Sequence, residues 1–90
     1  MTERCLQVTY RKGRAFAAYL YLSRPTGEKS VRTEASADGL LVIDFATDGH
    51  PIGIEITAPG AVSLERLNAT LHRFGQPPLP EAEFQPLRVA

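Results

Sequence analysis

Ninety residues with a hydrophobic content of 43% are enough for one folded domain, and this composition excludes wholesale disorder. Ten basic and ten acidic residues leave no net charge, so we do not expect nucleic acid as a partner. The single cysteine, Cys5, excludes an intramolecular disulfide, and we expect it to be a small buried residue of the first strand.

No segment resembles a secretory signal or a membrane span. No basic stretch is followed by a short apolar run, and no run approaches about 18 apolar residues. We therefore expect a cytoplasmic protein that does not contact a membrane.

The charges are unevenly divided along the chain. Residues 1–32 contain seven basic and two acidic side chains, whereas residues 33–90 contain three basic and eight acidic ones. This asymmetry could steer an acidic partner to one end or bring two copies together head to tail. Alternatively, the two sets could neutralise each other across neighbouring strands of one sheet.

Two strands are predicted at the beginning of the chain. Residues 5–10 alternate apolar and polar side chains, and residues 11–14 follow as a short turn in which Gly13 can adopt a left-handed conformation. Residues 15–23 alternate two sets that are both fairly apolar, which indicates a central strand covered at least partly on both faces. A turn at 25–27, a polar peripheral strand at 29–34 and a turn at 38–39 come next.

The segment GLLVIDFATDGHPIGIEIT (39–57) contains the strongest structural signal. Asp48-Gly49 lies between two β-rich runs and predicts a two-residue hairpin turn, because both residues tolerate positive φ. This turn places six large apolar side chains on one face, in three cross-strand pairs: Phe45 with Ile52, Ile43 with Ile54, and Leu41 with Ile56.

The periodicity becomes helical after Pro59-Gly60. Ser63 is a suitable N-cap, Gly75 is a suitable C′ residue, and the prolines at 77 and 78 prevent continuation. Between these limits an apolar stripe recurs at helical spacing: Leu64, Leu67, Leu71 and Phe74. We expect this helix to pack on the apolar face of the hairpin.

Residues 76–90 form a Pro-rich C-terminal arm with three large apolar residues, Leu79, Phe84 and Leu87. Residues 80–83 could start one short helical turn. The arm either packs on its own domain or crosses to a second protomer or a protein partner. The predicted fold is α+β: a domain of residues 1–75, with about five strands in an antiparallel meander and one C-terminal helix on one face, followed by this arm.

Two acidic residues of the hairpin form the most specific candidate site. The predicted register makes Asp44 and Glu55 diagonal neighbours, about 6–8 Å apart on the face opposite the isoleucines. Gly53 leaves an open floor beside Asp44, and we expect Tyr19 and Tyr21 on the same side of the sheet. Such a site could bind a small molecule or a metal ion, act as acid and base, or receive arginines from a partner. The alternative is a solvated sheet face.

A second candidate site is the basic turn formed by Arg11, Lys12 and Arg14 beside Tyr10. Basic residues around a glycine could hold a phosphate or another anion, and the aromatic neighbour could stack on a base. The alternative is a solvated loop tip. Apart from these two sites, no phosphate loop, paired-cysteine motif or nucleophile elbow is present, so we predict no catalytic residues, no cofactor and no metal centre.

Residues from about Leu6 to Thr57 resemble the bacterial family known as domain of unknown function 2283. The similarity lies in the segments AYLYL (18–22), GLLVIDF (39–45) and PIGIEI (51–56), the last of which follows an Asp-Gly turn. RKGRAF (11–16) departs from the acidic opening of the family, and the helix and tail extend beyond the match. The resemblance implies the fold and, because members are similar to small accessory proteins encoded beside candidate toxins, an antitoxin-like partner role.

The sequence favours a non-enzymatic protein-interaction module, acting as a homodimer or with a different protein. The support is the small size, the charge asymmetry, the apolar tail and the lack of catalytic groups. The alternative function is a small-molecule or metal-binding domain that uses the Asp44/Glu55 sheet face.

Overall fold

Five strands and two α-helices follow one another in the computed structural model, which describes residues 3–23 and 27–88. The turn predicted at 25–27 lies largely outside the described residues. The elements are β1 (Cys5–Arg11), β2 (Arg14–Tyr21), β3 (Arg32–Ala35), β4 (Leu41–Phe45), β5 (Pro51–Ile56), a 3₁₀ helix (Pro59–Ala61), α1 (Leu64–Arg73) and α2 (Glu81–Arg88). The α+β class and the five-stranded antiparallel sheet are therefore confirmed.

The strands are arranged in the order β1-β2-β5-β4-β3, so the prediction of a simple meander was wrong. β5 rather than β3 pairs with β2, for example through Tyr19 opposite Glu55. The reason is burial: every residue of β5 except Glu55 is buried, whereas all four residues of β3 are exposed. Placing β5 beside β2 keeps this buried strand in the interior of the sheet and leaves the polar strand β3 at its edge.

The β4–β5 hairpin keeps two of its three predicted apolar pairs, Leu41 with Ile56 and Ile43 with Ile54. Phe45 pairs with Pro51 instead of Ile52, because the loop has three residues rather than two. The Ala46 amide donates to the His50 carbonyl (2.9 Å), and Gly49 adopts a φ of +90°. This is the geometry of a three-residue hairpin loop that ends in a left-handed glycine.

α1 forms as predicted on one face of the sheet. The Ser63 hydroxyl accepts a hydrogen bond from the Arg66 amide (3.1 Å), and Gly75 follows the helix with a φ of +70°. Leu67 and Leu71 are completely buried in the core that β2, β4 and β5 line. Neither described α-helix has the length and apolar character that a membrane crossing requires.

The C-terminal arm packs on its own chain. Leu79, Phe84 and Leu87 are only 3%, 2% and 4% exposed and belong to the same core as α1. The Asn68 side chain ties the arm to α1, since it accepts from the Leu79 amide (2.7 Å) and donates to the Leu79 carbonyl (3.2 Å). These three apolar residues are therefore inaccessible to a second protomer in this structure.

The arm also contains more helix than predicted, because α2 extends over eight residues rather than one turn. Pro86 lies inside it, and a proline there argues against helix in a sequence. Pro86 removes only one intrahelical hydrogen bond near the end of α2, and the burial of Phe84 and Leu87 offsets this loss.

Candidate functional site

The sheet face opposite α1 and α2 is the candidate functional site, and within residues 3–23 and 27–88 no helix lies on it. We call it the uncovered face. Strand register assigns to it two long cross-strand rows and one shorter pair: Cys5, Tyr21, Gly53, Asp44 and Thr33; Gln7, Tyr19, Glu55, Val42 and Ala35; and Thr9 with Ala17. Cys5 is exposed there rather than buried as expected. Asp44 and Glu55 are the only acidic or basic side chains among these strand residues.

Tyr19 crosses the middle of the uncovered face. It starts on β2, reaches over Gly53 on β5, and its hydroxyl donates to Asp44 Oδ2 on β4 at 2.5 Å. A Cβ built on Gly53 would overlap the hydroxyl and ring atoms of Tyr19. The prediction of an open floor beside Asp44 is therefore wrong, because the Tyr19 ring fills the space over Gly53.

The other predicted residues of this site lie where the sequence placed them. Tyr21 is opposite Gly53, and its ring centroid is 4.6 Å from that of Tyr19 at an interplanar angle of 51°. Glu55 is exposed and lies between Tyr19 and Val42. The structure thus brings two aromatic rings and two carboxylates together on one face of the sheet.

The surroundings of Asp44 are also relevant to the alternative function, in which the Asp44/Glu55 face binds a small molecule or a metal ion. Tyr19 already occupies one carboxylate oxygen of Asp44. Within the described part of the chain, no group of three or more His, Cys, Asp and Glu side chains is arranged to hold a metal ion.

The basic residues Arg11, Lys12 and Arg14 lie at one end of the β1–β2 hairpin. Arg11 and Arg14 are opposite each other at the end of the β1–β2 ladder, so Lys12 and Gly13 form a two-residue turn with φ values of +53° and +79°. The left-handed conformation predicted for Gly13 is confirmed. None of these three basic residues belongs to the cross-strand rows of the uncovered face, so the two candidate sites share no residue.

A carboxylate–histidine cluster was not foreseen from the sequence. The two ring nitrogens of His50 contact Glu28 Oε1 (Nε2, 2.6 Å) and Asp48 Oδ1 (Nδ1). Burial lowers the pKa of His50, but hydrogen bonds to Asp48 and Glu28 outweigh it and raise this pKa above its ordinary value. Both partners are carboxylates, which accept hydrogen bonds, and only a charged imidazole can donate from both nitrogens. The contacts of His50 are therefore ion pairs, and they join the β2–β3 connection to the β4–β5 loop.

We expect the contribution of His50 to stability to depend on pH. Because its folded-state pKa is raised, the stabilisation is fully present below about pH 6.5, the unfolded value, and is lost as the pH rises through the folded-state pKa. The difference in free energy of unfolding between wild type and His50→Gln should therefore shrink between pH 6 and pH 9. Urea denaturation across this range measures it, with His72→Gln on the exposed side of α1 as the control. A constant difference would contradict the ion-pair assignment.

The fold and this surface define a two-layer α+β domain with helices on one face of the sheet. Searches of protein-family models, curated proteins and solved structures find no match to this chain. The resemblance to domain of unknown function 2283 therefore stays a prediction.

Proposed function

We propose that this chain is a non-enzymatic protein-interaction module and that its uncovered face binds a partner protein. The observation that carries the proposal is the composition of that face. Tyr19, Tyr21 and Val42 are half-buried on a sheet surface without a helical layer in the described residues, and the acidic Asp44 and Glu55 lie among them. Tyrosines on a rigid surface are enriched in protein interfaces.

The chemistry of the face specifies the kind of partner. Both charged side chains are acidic, so the complementary surface presents arginine or lysine next to apolar residues. The Tyr19 hydroxyl holds Asp44 in one position, and the exposed Glu55 can accept two parallel hydrogen bonds from a guanidinium group. The neighbouring tyrosine rings provide flat surfaces on which an arginine can stack.

Little conformational entropy needs to be lost on binding. The two tyrosines come from an interior strand, pack against each other, and stand on a sheet whose opposite face is the core. A surface that is ordered before binding retains more of its contact energy as affinity.

The test compares wild type with Glu55→Gln, which removes one exposed charge from the uncovered face. Glu65→Gln, which removes an exposed charge from α1, is the matched control. Each tagged protein is incubated at low salt with an extract of the native cells, and captured proteins are identified by mass spectrometry. The identified partner is then purified and titrated against the three proteins.

We expect Glu55→Gln to weaken binding of the purified partner by about tenfold, the effect of losing one charge-assisted hydrogen-bonded pair, and Glu65→Gln to leave it unchanged. Equal binding by both variants would place the interface elsewhere and overturn the proposal. If sedimentation shows a homodimer that Glu55→Gln weakens, the partner of the uncovered face is a second copy of this chain rather than a different protein. A toxin as the partner would make the chain an antitoxin-like accessory protein.

A further inference from the structure

A second surface, which shares no residue with the uncovered face, has the features of a ligand site. The β1–β2 turn and the 3₁₀ helix border an open cleft of about 900 Å³, which we call the turn cleft. The residues that line it include Arg11, Lys12, Arg14 and Phe16 of the β1–β2 hairpin and small residues at the 3₁₀ helix. A neighbouring cleft of about 610 Å³ shares Arg14 and the 3₁₀ helix with it and continues toward Arg88 of α2. The combined space is large enough for an organic ligand.

The charge of the turn cleft is entirely positive. Three of its lining residues are basic and none is acidic. Among the described residues Arg11, Lys12 and Arg14 form no ion pair with a carboxylate, whereas Arg32, Arg66, Arg73 and Arg88 all do. The positive charge of these three residues is therefore not neutralised by carboxylates of neighbouring strands, and it borders the turn cleft.

An aromatic ring lies beside these cations. The β1–β2 register shifts between Thr9 and Tyr10, which leaves Phe16 without a partner residue in the ladder. Phe16 is 52% exposed, and the Arg11 guanidinium is 5.0 Å from its ring centroid. A large apolar ring that is exposed in a cleft and flanked by arginine is a platform for stacking a planar group.

The floor of the cleft leaves room for such a group. Ala15, Ala58, Gly60 and Ala61 are small, and no atom lies within 4 Å of a Cβ built on Gly60. Several cations on one short turn match a ligand with several negative charges close together, which is the arrangement in a chain of phosphates.

We infer that the turn cleft binds a nucleotide: its phosphates contact Arg11, Lys12 and Arg14, and its base stacks on Phe16. The nucleotide is either free or part of a single-stranded nucleic acid, since both present the same phosphates and base. The inference is independent of the partner-binding face, because the two sites share no residue.

The experiment titrates the full chain with ATP, with inorganic triphosphate and with a ten-nucleotide single strand, by calorimetry and by NMR. Lys12→Gln is compared with Lys29→Gln, an identical change at an exposed lysine outside the cleft. Phe16→Leu removes the ring but keeps an apolar side chain. Circular dichroism verifies that each variant is folded.

We expect Lys12→Gln to weaken ATP binding by about fivefold and Lys29→Gln by less than about twofold. Phe16→Leu should weaken binding of ATP by about fivefold or more, as the loss of one base stack does, and leave inorganic triphosphate unaffected. Binding of the single strand more than about tenfold tighter than ATP would identify nucleic acid as the source of the nucleotide. Comparable or weaker binding would identify a free nucleotide.

Three results would overturn the inference. The first is no saturable binding of ATP or the single strand at millimolar concentration. The second is equal weakening by Lys12→Gln and Lys29→Gln, which would indicate general electrostatic attraction. The third is equal affinity for ATP and inorganic triphosphate with no effect of Phe16→Leu. Unchanged ATP binding by Glu55→Gln would separate this site from the proposed partner interface.

Discussion

Replacing Phe84 by alanine is expected to lower the free energy of unfolding by about 3–5 kcal/mol, as the removal of a buried phenylalanine does. Phe84 is 2% exposed and contributes its ring to the core that α1 and the sheet share. A loss of this size is a large share of the stability of a 90-residue domain, about 5–15 kcal/mol. Deletion of residues 76–90 should therefore unfold the protein or leave it only partly folded, rather than merely remove an arm.

Phe16→Ala is the matched control, because the same ring is removed from a position that is 52% exposed. It should cost less than about 1 kcal/mol, since little area is buried there and the contact with Arg11 is a surface one. Urea denaturation followed by circular dichroism measures both variants. A Phe84→Ala variant as stable as Phe16→Ala would show that the arm is not part of the folded core in solution.

Replacing Gly53 by alanine is expected to destabilise the protein by about 1–3 kcal/mol, the usual effect of an extra methyl group in a filled space. The new Cβ would overlap the Tyr19 ring, so this side chain must rotate away from β5. Its hydrogen bond to Asp44 is then lost, together with its packing against Tyr21. Because these residues form the uncovered face, we also expect weaker partner binding.

Gly60→Ala controls for the general effect of replacing glycine, since no atom lies near its built Cβ and its φ is not positive. It should be neutral or slightly stabilising through the unfolded state. In a Tyr19→Ala background, Gly53→Ala should cost much less than in wild type, which a double-mutant cycle by urea denaturation measures. Additive effects of the two substitutions would show that Tyr19 does not lie over Gly53.

Local signals predicted the elements of this fold well. The Asp48-Gly49 pair and the alternation of isoleucines placed β4 and β5 together, and the Ser63 cap and the Gly75 terminus placed α1 within a residue of its observed bounds. These features depend on interactions between residues close in sequence, such as caps, turns and side-chain periodicity, so they can be read from one sequence. The residues that β4 and β5 place on the uncovered face followed directly, because a strand with one buried face must expose the other, whereas Cys5 was wrongly expected to be buried.

Contacts between distant segments decided the rest. The pairing of β5 with β2, the filling of the space over Gly53 by Tyr19, and the contact of His50 with Glu28 join residues 22 to 38 positions apart. From its sequence alone, the arm could equally have covered another protomer. The packing of the core shows instead that Phe84 and Leu87 fill the space beside α1 of the same chain. The sequence by itself determined the five strands, α1 and the apolar side chains, but not the full length of α2, in which Pro86 lies. The tertiary structure decided their neighbours, because the choice among compatible apolar surfaces depends on how well they pack together.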